Sequence, residues 1–322
     1  MYYIKKIASI LLLAIGLSAQ VMSAPDAPDT VKVGCYILSL HDINFHDKEY
    51  TMRYWLWFLH KNNKNLDFTS QVEVPNAKSV EKPDVIVDTI NGKTWVLMKM
   101  KSVMKQSWNV NDYPFDEQNI VVSIENTMYD KKWLVYEIDS IGSSFAPAMN
   151  VDGWKIKSFK VCRGQNLYNT AFGDPRTTTT VSEYDTFNIK MTLERNAMGL
   201  FMKIFIAMYI AFFIGCISFF IDITETESRF ALPVGGLFAA VGNKYIIDSL
   251  LPETSDYTLV DSLHSITFLF IFFTLFLNAY CVKLHEHNKA EKSKRLNYVG
   301  SRLLISTYAL LNIFFVLVAA FL

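Results

Sequence analysis

Four long apolar stretches limit the fold of this chain more than any other feature. They run from Lys203 to Phe220, Phe230 to Leu251, Leu259 to Cys281 and Leu303 to Leu322. Each approaches the roughly 20 residues that a helix needs to cross the hydrocarbon core of a bilayer. The first, third and fourth are almost purely Ile, Leu, Phe, Val and Ala. The second carries Pro233, Gly235, Gly236, Gly242, Asn243 and Lys244. Such residues are tolerated in a span that faces other protein or a water-filled cavity. The second helix is therefore the expected inner wall of any pathway.

The preceding region reads differently. Lys5 and Lys6 lead into an apolar core from Ile7 to Leu17 and then small residues up to Ala24. That is the layout of a secretory signal peptide over residues 1–23. The alternative, a membrane anchor, would need an apolar core about twice as long. Residues 24–196 are expected to form an exported antiparallel β-sandwich of about ten strands, and residues 197–322 a transmembrane four-helix bundle. Strand signals are the aromatic run Tyr50 to Phe58 and the alternation in Ile120–Ile124 and Tyr184–Leu193. Asn91-Gly92 between Val85-Ile-Val and Trp95-Val-Leu-Met marks a hairpin.

Charge sets the orientation. Lys283, Lys289, Lys292, Lys294 and Arg295 crowd the link between the third and fourth spans, whereas Glu253 and Asp256 lie between the second and third. Basic loops collect on the cytoplasmic side, so the N-terminal domain and the C-terminus are expected outside. Formal net charge is zero, which argues against a nucleic-acid partner. Of the four cysteines, Cys216 and Cys281 lie in apolar runs. Cys35 and Cys162 would face an oxidising compartment, where a bridge is allowed but not required. The sequence calls for no catalytic centre, metal or cofactor. His285-Glu-His287 lacks the i, i+4 spacing of a helical chelating pair. Asp261 and His264, one turn apart, form either a proton-sensing pair or a buried hydrogen-bonded one.

Tyr113-Pro114-Phe115-Asp116-Glu117-Gln118 resembles the Phe-Pro-Phe-Asp-x-Gln turn of the Cys-loop receptor superfamily, the pentameric ligand-gated ion channels. The run Ile43 to Trp57 resembles that family's first turn and second strand. Leu251-Pro252-Glu-Thr-Ser-Asp256 is similar to its link between the second and third helices, and Arg195 stands where the family has an arginine before the first helix. These motifs cover nearly the whole mature chain, in order. There are departures. Gln106 and Ile120 occupy the positions of the two loop cysteines, as in a bacterial-type member. Glu125-Asn126-Thr127 supplies no aromatic where one is expected, and the first helix lacks the family's proline.

The resemblance implies a homopentamer in a bacterial inner membrane, with the N-terminal domain in the periplasm. It would be opened by a small-molecule agonist or protons, and would pass monovalent cations through the lipid bilayer. Steps of three and four along the second helix put Glu227, Ala231, Gly235, Phe238, Gly242, Tyr245 and Ser249 on one face. Five copies would stack these as rings. Glu227 would form an acidic inner mouth that favours cations, or would be a solvated loop charge beside Arg229. Phe238 would form an apolar constriction able to close by dewetting. The lower part of this face lacks hydroxyls, which leaves a packed, non-conducting bundle as the alternative. Asp47, Pro114, Phe115, Asp116, Arg195 and Pro252 would meet at the domain boundary, either to couple the domains or to hold them together. Trp55, Trp57, Tyr129, Tyr168 and Phe172, the last two in a mobile hairpin from Arg163 to Thr180, would offer aromatic faces to an agonist cation.

Overall fold

Period-two burial organises the N-terminal half. The computed structural model describes residues 27–61, 63, 65–173 and 180–321. The expected signal peptide and Pro175 of the expected hairpin lie outside these residues. Ten strands are described: β1 Asp29–Asn44, β2 Glu49–Lys61, β3 Val72–Glu73, β4 Ala77–Ile90, β5 Lys93–Lys105, β6 Glu117–Asn126, β7 Leu134–Ile138, β8 Ser144–Phe145, β9 Trp154–Tyr168 and β10 Ser182–Arg195. One sheet has the order β4-β5-β2-β1-β7, with β8 beside β1, and the other β3-β6-β10-β9. Along β2 the inward set is Tyr50, Met52, Tyr54, Leu56 and Phe58; along β10 it is Phe187, Ile189, Met191 and Leu193. Alternation puts each set on one face of its strand. Both sets enter one buried core, so the two sheets face each other.

The hairpin at Asn91-Gly92 is present. Both residues take positive φ, 51° and 72°, the left-handed conformation that Asn and Gly tolerate in a two-residue turn. Of the expected hairpin from Arg163 to Thr180, residues 174–179 lie outside the described residues. Arg163 to Tyr168 still pair along β10, Arg163 opposite Phe187 and Tyr168 opposite Ser182. Cys35 and Cys162 are free thiols; Cys35 is buried in the core, and burial pushes its thiol up to about 12.

Four helices follow: α1 Ala197–Ile217, α2 Thr226–Asp248, α3 Leu259–Glu286 and α4 Ala290–Phe321. All four are long and apolar enough to cross a membrane, which supports a multi-pass membrane protein. Helix α4 starts thirteen residues before the apolar stretch at Leu303, because its basic first turns have good helix formers and no breaker. A reciprocal cap starts α3. Asp261 N–H donates to Thr258 Oγ1 at 3.3 Å, and Asp261 Oδ2 accepts from Thr258 N–H at 2.9 Å. Asp261 is therefore committed to the cap and to Lys244 (2.8 Å), and does not pair with His264.

Pro233 lies inside α2. A proline has no N–H to give the carbonyl four residues earlier, here Arg229. The amide of Asn278 on α3 donates to that carbonyl at 3.2 Å. Close by, a Cβ on Gly236 would stand 2.5 Å from the Ala211 carbonyl of α1. Glycine there allows α1 and α2 to touch backbone to backbone.

Candidate functional site

At the boundary between sheets and helices, β10 runs straight into α1, and Arg195 is the last residue of the strand. Its Nε donates to Asp116 Oδ1 at 2.6 Å and its Nη2 to Asp116 Oδ2 at 3.1 Å. The rings of Trp154, Phe45 and Tyr113 surround the guanidinium at 4.0, 4.6 and 4.8 Å from their centroids. Gln118 Nε2 donates to the second carboxylate oxygen at 2.6 Å. The side chains are 10% and 3% exposed, so this is a desolvated, forked pair in which planar cation and rings stack. The turn holding Asp116 includes a cis Tyr113–Pro114 bond.

Other contacts cross the same boundary. Phe115 lies 5.5 Å from Phe201 of α1, ring to ring. Leu259 N–H, at the start of α3, donates to the Asn111 carbonyl at 2.7 Å. Lys48 Nζ donates to the Glu253 carbonyl at 3.2 Å, beside the buried Pro252. Asp47 instead closes its own turn with Asn44; the reach to the helices comes from its neighbour Lys48. A cavity of about 460 Å³ opens here, lined among others by Asp42, Glu49, Arg195 and Leu251.

A second cluster sits on β6, β9 and β10. Tyr168 packs edge-on against Phe172 (5.5 Å) and Tyr184 (5.6 Å). The hydroxyl of Tyr168 donates to Glu125 Oε1 and the Asn166 amide to Glu125 Oε2, both at 2.8 Å. Glu125 is 4% exposed, and its two hydrogen-bond donors are neutral. Burial raises its carboxyl above the usual carboxylate range, against the pull of the Tyr168 and Asn166 donors, and Glu73 adds like-charge repulsion. Trp55 and Trp57 are not part of this cluster. They lie on the outer face of β2, in the other sheet, with Lys99 over the Trp55 ring and Trp57 Nε1 donating to Asp139. Tyr129 lies against Trp133 and donates to the Asn65 carbonyl. Sequence reading missed Glu125 and Tyr184 as members. The regular alternation of β10, which brings Tyr184 to the face of Tyr168, was the available signal.

A carboxyl with a raised value is destabilised as it ionises, so stability falls as pH rises from the ordinary carboxylate range through the raised one. Glu125→Gln removes that titration. The stability difference between variant and wild type is expected to shift in the variant's favour as pH rises through this window. Thermal melts from acid to neutral pH check this; parallel curves would contradict it.

The third feature is α2. Glu227, Ala231, Gly235, Phe238, Gly242, Tyr245 and Ser249 are all exposed, Phe238 at 72%. The buried face is Arg229, Pro233, Gly236, Ala240 and Ile247. Glu227 lies in the first helical turn and not in a loop. Arg229, its near neighbour, is buried. It donates to the Ile221 carbonyl (2.8 Å), Asn278 Oδ1 (2.7 Å) and Asn297 Oδ1 (2.6 Å). It thereby ties the N-terminal end of α2 to the preceding link, α3 and α4. Among the described residues no group of three or more His, Cys, Asp or Glu could hold a metal.

The chain matches no model of a known protein family, and no curated protein matches it.

Proposed function

We propose that this chain is one subunit of a pentameric ligand-gated ion channel of bacterial type. In this reading the two facing sheets are a periplasmic β-sandwich, the four helices span the inner membrane, and five α2 helices line a cation pathway. The observation that carries it is the exposed face of α2. A span that leaves Glu227, Gly235, Gly242 and Ser249 uncovered, while packing its other side on α1 and α3, needs more protein or water beside it. Copies of itself around an axis supply both. The Asp116–Arg195 pair would carry motion of the sandwich into α1, and Lys48 would carry it into the link after α2. The Glu125, Tyr168, Phe172 and Tyr184 cluster offers a buried carboxylate and ring faces to an agonist cation. Trp55 and Trp57 would approach it only from a neighbouring subunit.

Two measurements test the assembly and its orientation. The native mass of the purified protein, corrected for bound detergent, is expected to be five chains. A cysteine at Lys292 is expected to resist an impermeant thiol reagent in intact cells, and one at Asn169 to react. The opposite labelling pattern would overturn the orientation, and a monomer or dimer would overturn the pore.

One observation favours a second reading, a non-conducting receptor on the same fold. Between Glu227 and Phe238 the residues at the steps of this face are Ala231 and Gly235, which offer no hydroxyl to solvate an ion.

A further inference from the structure

Helix α4 carries positive charge and apolar surface on one stripe. Lys292, Arg295 and Arg302 recur at steps of three and seven residues, which brings them to the same side of a helix. All three are exposed. Among the described residues none of them pairs with a carboxylate. Glu291, their neighbour in sequence, reaches Lys294 instead at 4.0 Å, and no acidic residue follows it in the chain. The Arg302 guanidinium lies over the ring of Tyr298, 3.9 Å from its centroid. Stacking of this kind orients the guanidinium plane and leaves its N–H fork free to donate. Further along, the stripe turns apolar. Leu303, Leu310, Ile313 and Leu317 continue it and are between 50% and 67% exposed. Ser306, which lies among them, gives its hydroxyl back to the Arg302 and Leu303 carbonyls at 2.8 and 3.1 Å. Of the four spans α4 is the least covered: 11% of its most apolar stretch is buried in the bundle, against 22–39% for the others.

We infer that this stripe holds an anionic phospholipid: the phosphate sits on Arg302, Arg295 and Lys292 face the headgroup from further out, and an acyl chain lies along Leu303 to Leu317. Charge and apolarity together select the occupant. An acidic soluble protein would meet the cations but leave the apolar half of the stripe unused. A zwitterionic lipid would match the apolar half but bring its own cation against unpaired arginines. An anionic phospholipid satisfies both. Arg302 stands where the apolar run begins, so its contact with phosphate is partly desolvated and stronger than the same contact in water. The planar fork of arginine suits two phosphate oxygens at once. Seven residues set Arg295 about 10 Å from Arg302 along the axis, at the depth of the headgroups when Arg302 is at the hydrocarbon edge. The site rests on the helices crossing a membrane; it needs neither five copies nor an ion path.

The test offers the delipidated full chain, in a neutral detergent at low salt, phosphatidylglycerol or phosphatidylcholine with identical acyl chains. Native mass spectrometry counts the lipids retained. Phosphatidylglycerol is expected to be kept in preference. Arg302→Gln is expected to weaken its binding roughly fivefold, the contribution of one cation near an anionic lipid surface. Arg302→Lys keeps the charge and loses the fork, so its binding is expected to fall between the two. Lys294→Gln removes the same charge from another side of α4 and is expected to change binding little. All three side chains are exposed, and unchanged helical circular dichroism shows that each variant is folded. Equal retention of the two lipids by the wild type would overturn the site. Equal losses in Arg302→Gln and Lys294→Gln would also overturn it, because they would mean a diffuse attraction to any basic surface.

Discussion

Replacing Asp116 with Asn is expected to destabilise the folded protein by about 3–5 kcal/mol, the usual effect of removing one partner from a buried pair. The loss is large because of what remains. Arg195 would keep its charge inside three aromatic rings, with its forked acceptor replaced by a neutral amide. Arg195→Gln leaves the converse, a carboxylate 3% exposed whose remaining side-chain donor is Gln118. The double variant is expected to lose clearly less than the sum of the two, since contacting residues are not additive. Thermal or denaturant unfolding of the four proteins in one detergent measures this. Additive losses would mean that the two side chains do not act as a pair. In the proposed channel the same substitutions also weaken the response to agonist, because they cut the link from β10 and the Asp116 turn to α1.

Much of this was legible in the sequence, and what was legible was local. The spans stand out as apolar runs. Asn91-Gly92 is a turn because only a few residue types accept positive φ at both positions. Arg195 and Asp116 were placed together by motif. What the sequence hid depends on packing between distant segments. Glu125 meets Tyr168, 43 residues away, through the register of β6, β10 and β9. His264 was read against Asp261, its neighbour on the helix, but the capping box takes Asp261 and the packing of α2 on α3 supplies Asn243 instead. In the sequence Arg229 stands only as the neighbour of Glu227. Its burial depends on Asn278 and Asn297 arriving from two other helices. Pro233 was the one local hint that a carbonyl in that turn would need an outside donor.

Phe238→Ser is expected to produce the largest functional change. Phe238 is the one large side chain at mid-height on a face otherwise built of Gly and Ala there, and it is uncovered in the single chain. In a fivefold assembly its rings would meet around the axis and exclude water, which closes a pore without any charged barrier. Serine replaces each ring with a hydroxyl that holds water. The closed state then loses its dry segment, and spontaneous current or activation at a lower agonist concentration is the expected outcome. Folding should change little, because Phe238 is 72% exposed within its own subunit. Purified variant and wild type in planar bilayers, at matched protein density, provide the comparison.

If five copies of this chain enclose an ion path, as proposed, current must pass through the purified wild-type protein. Recordings across an acid-to-neutral pH series and a panel of small amines are predicted to show discrete openings carried mainly by cations. That preference is predicted to weaken in Glu227→Gln, most visibly at low ionic strength, where a ring of charge is least screened. Silence under all of these conditions, from wild type and Phe238→Ser alike and from protein shown to be folded and pentameric, would rule out the ion path and leave the non-conducting receptor in its place.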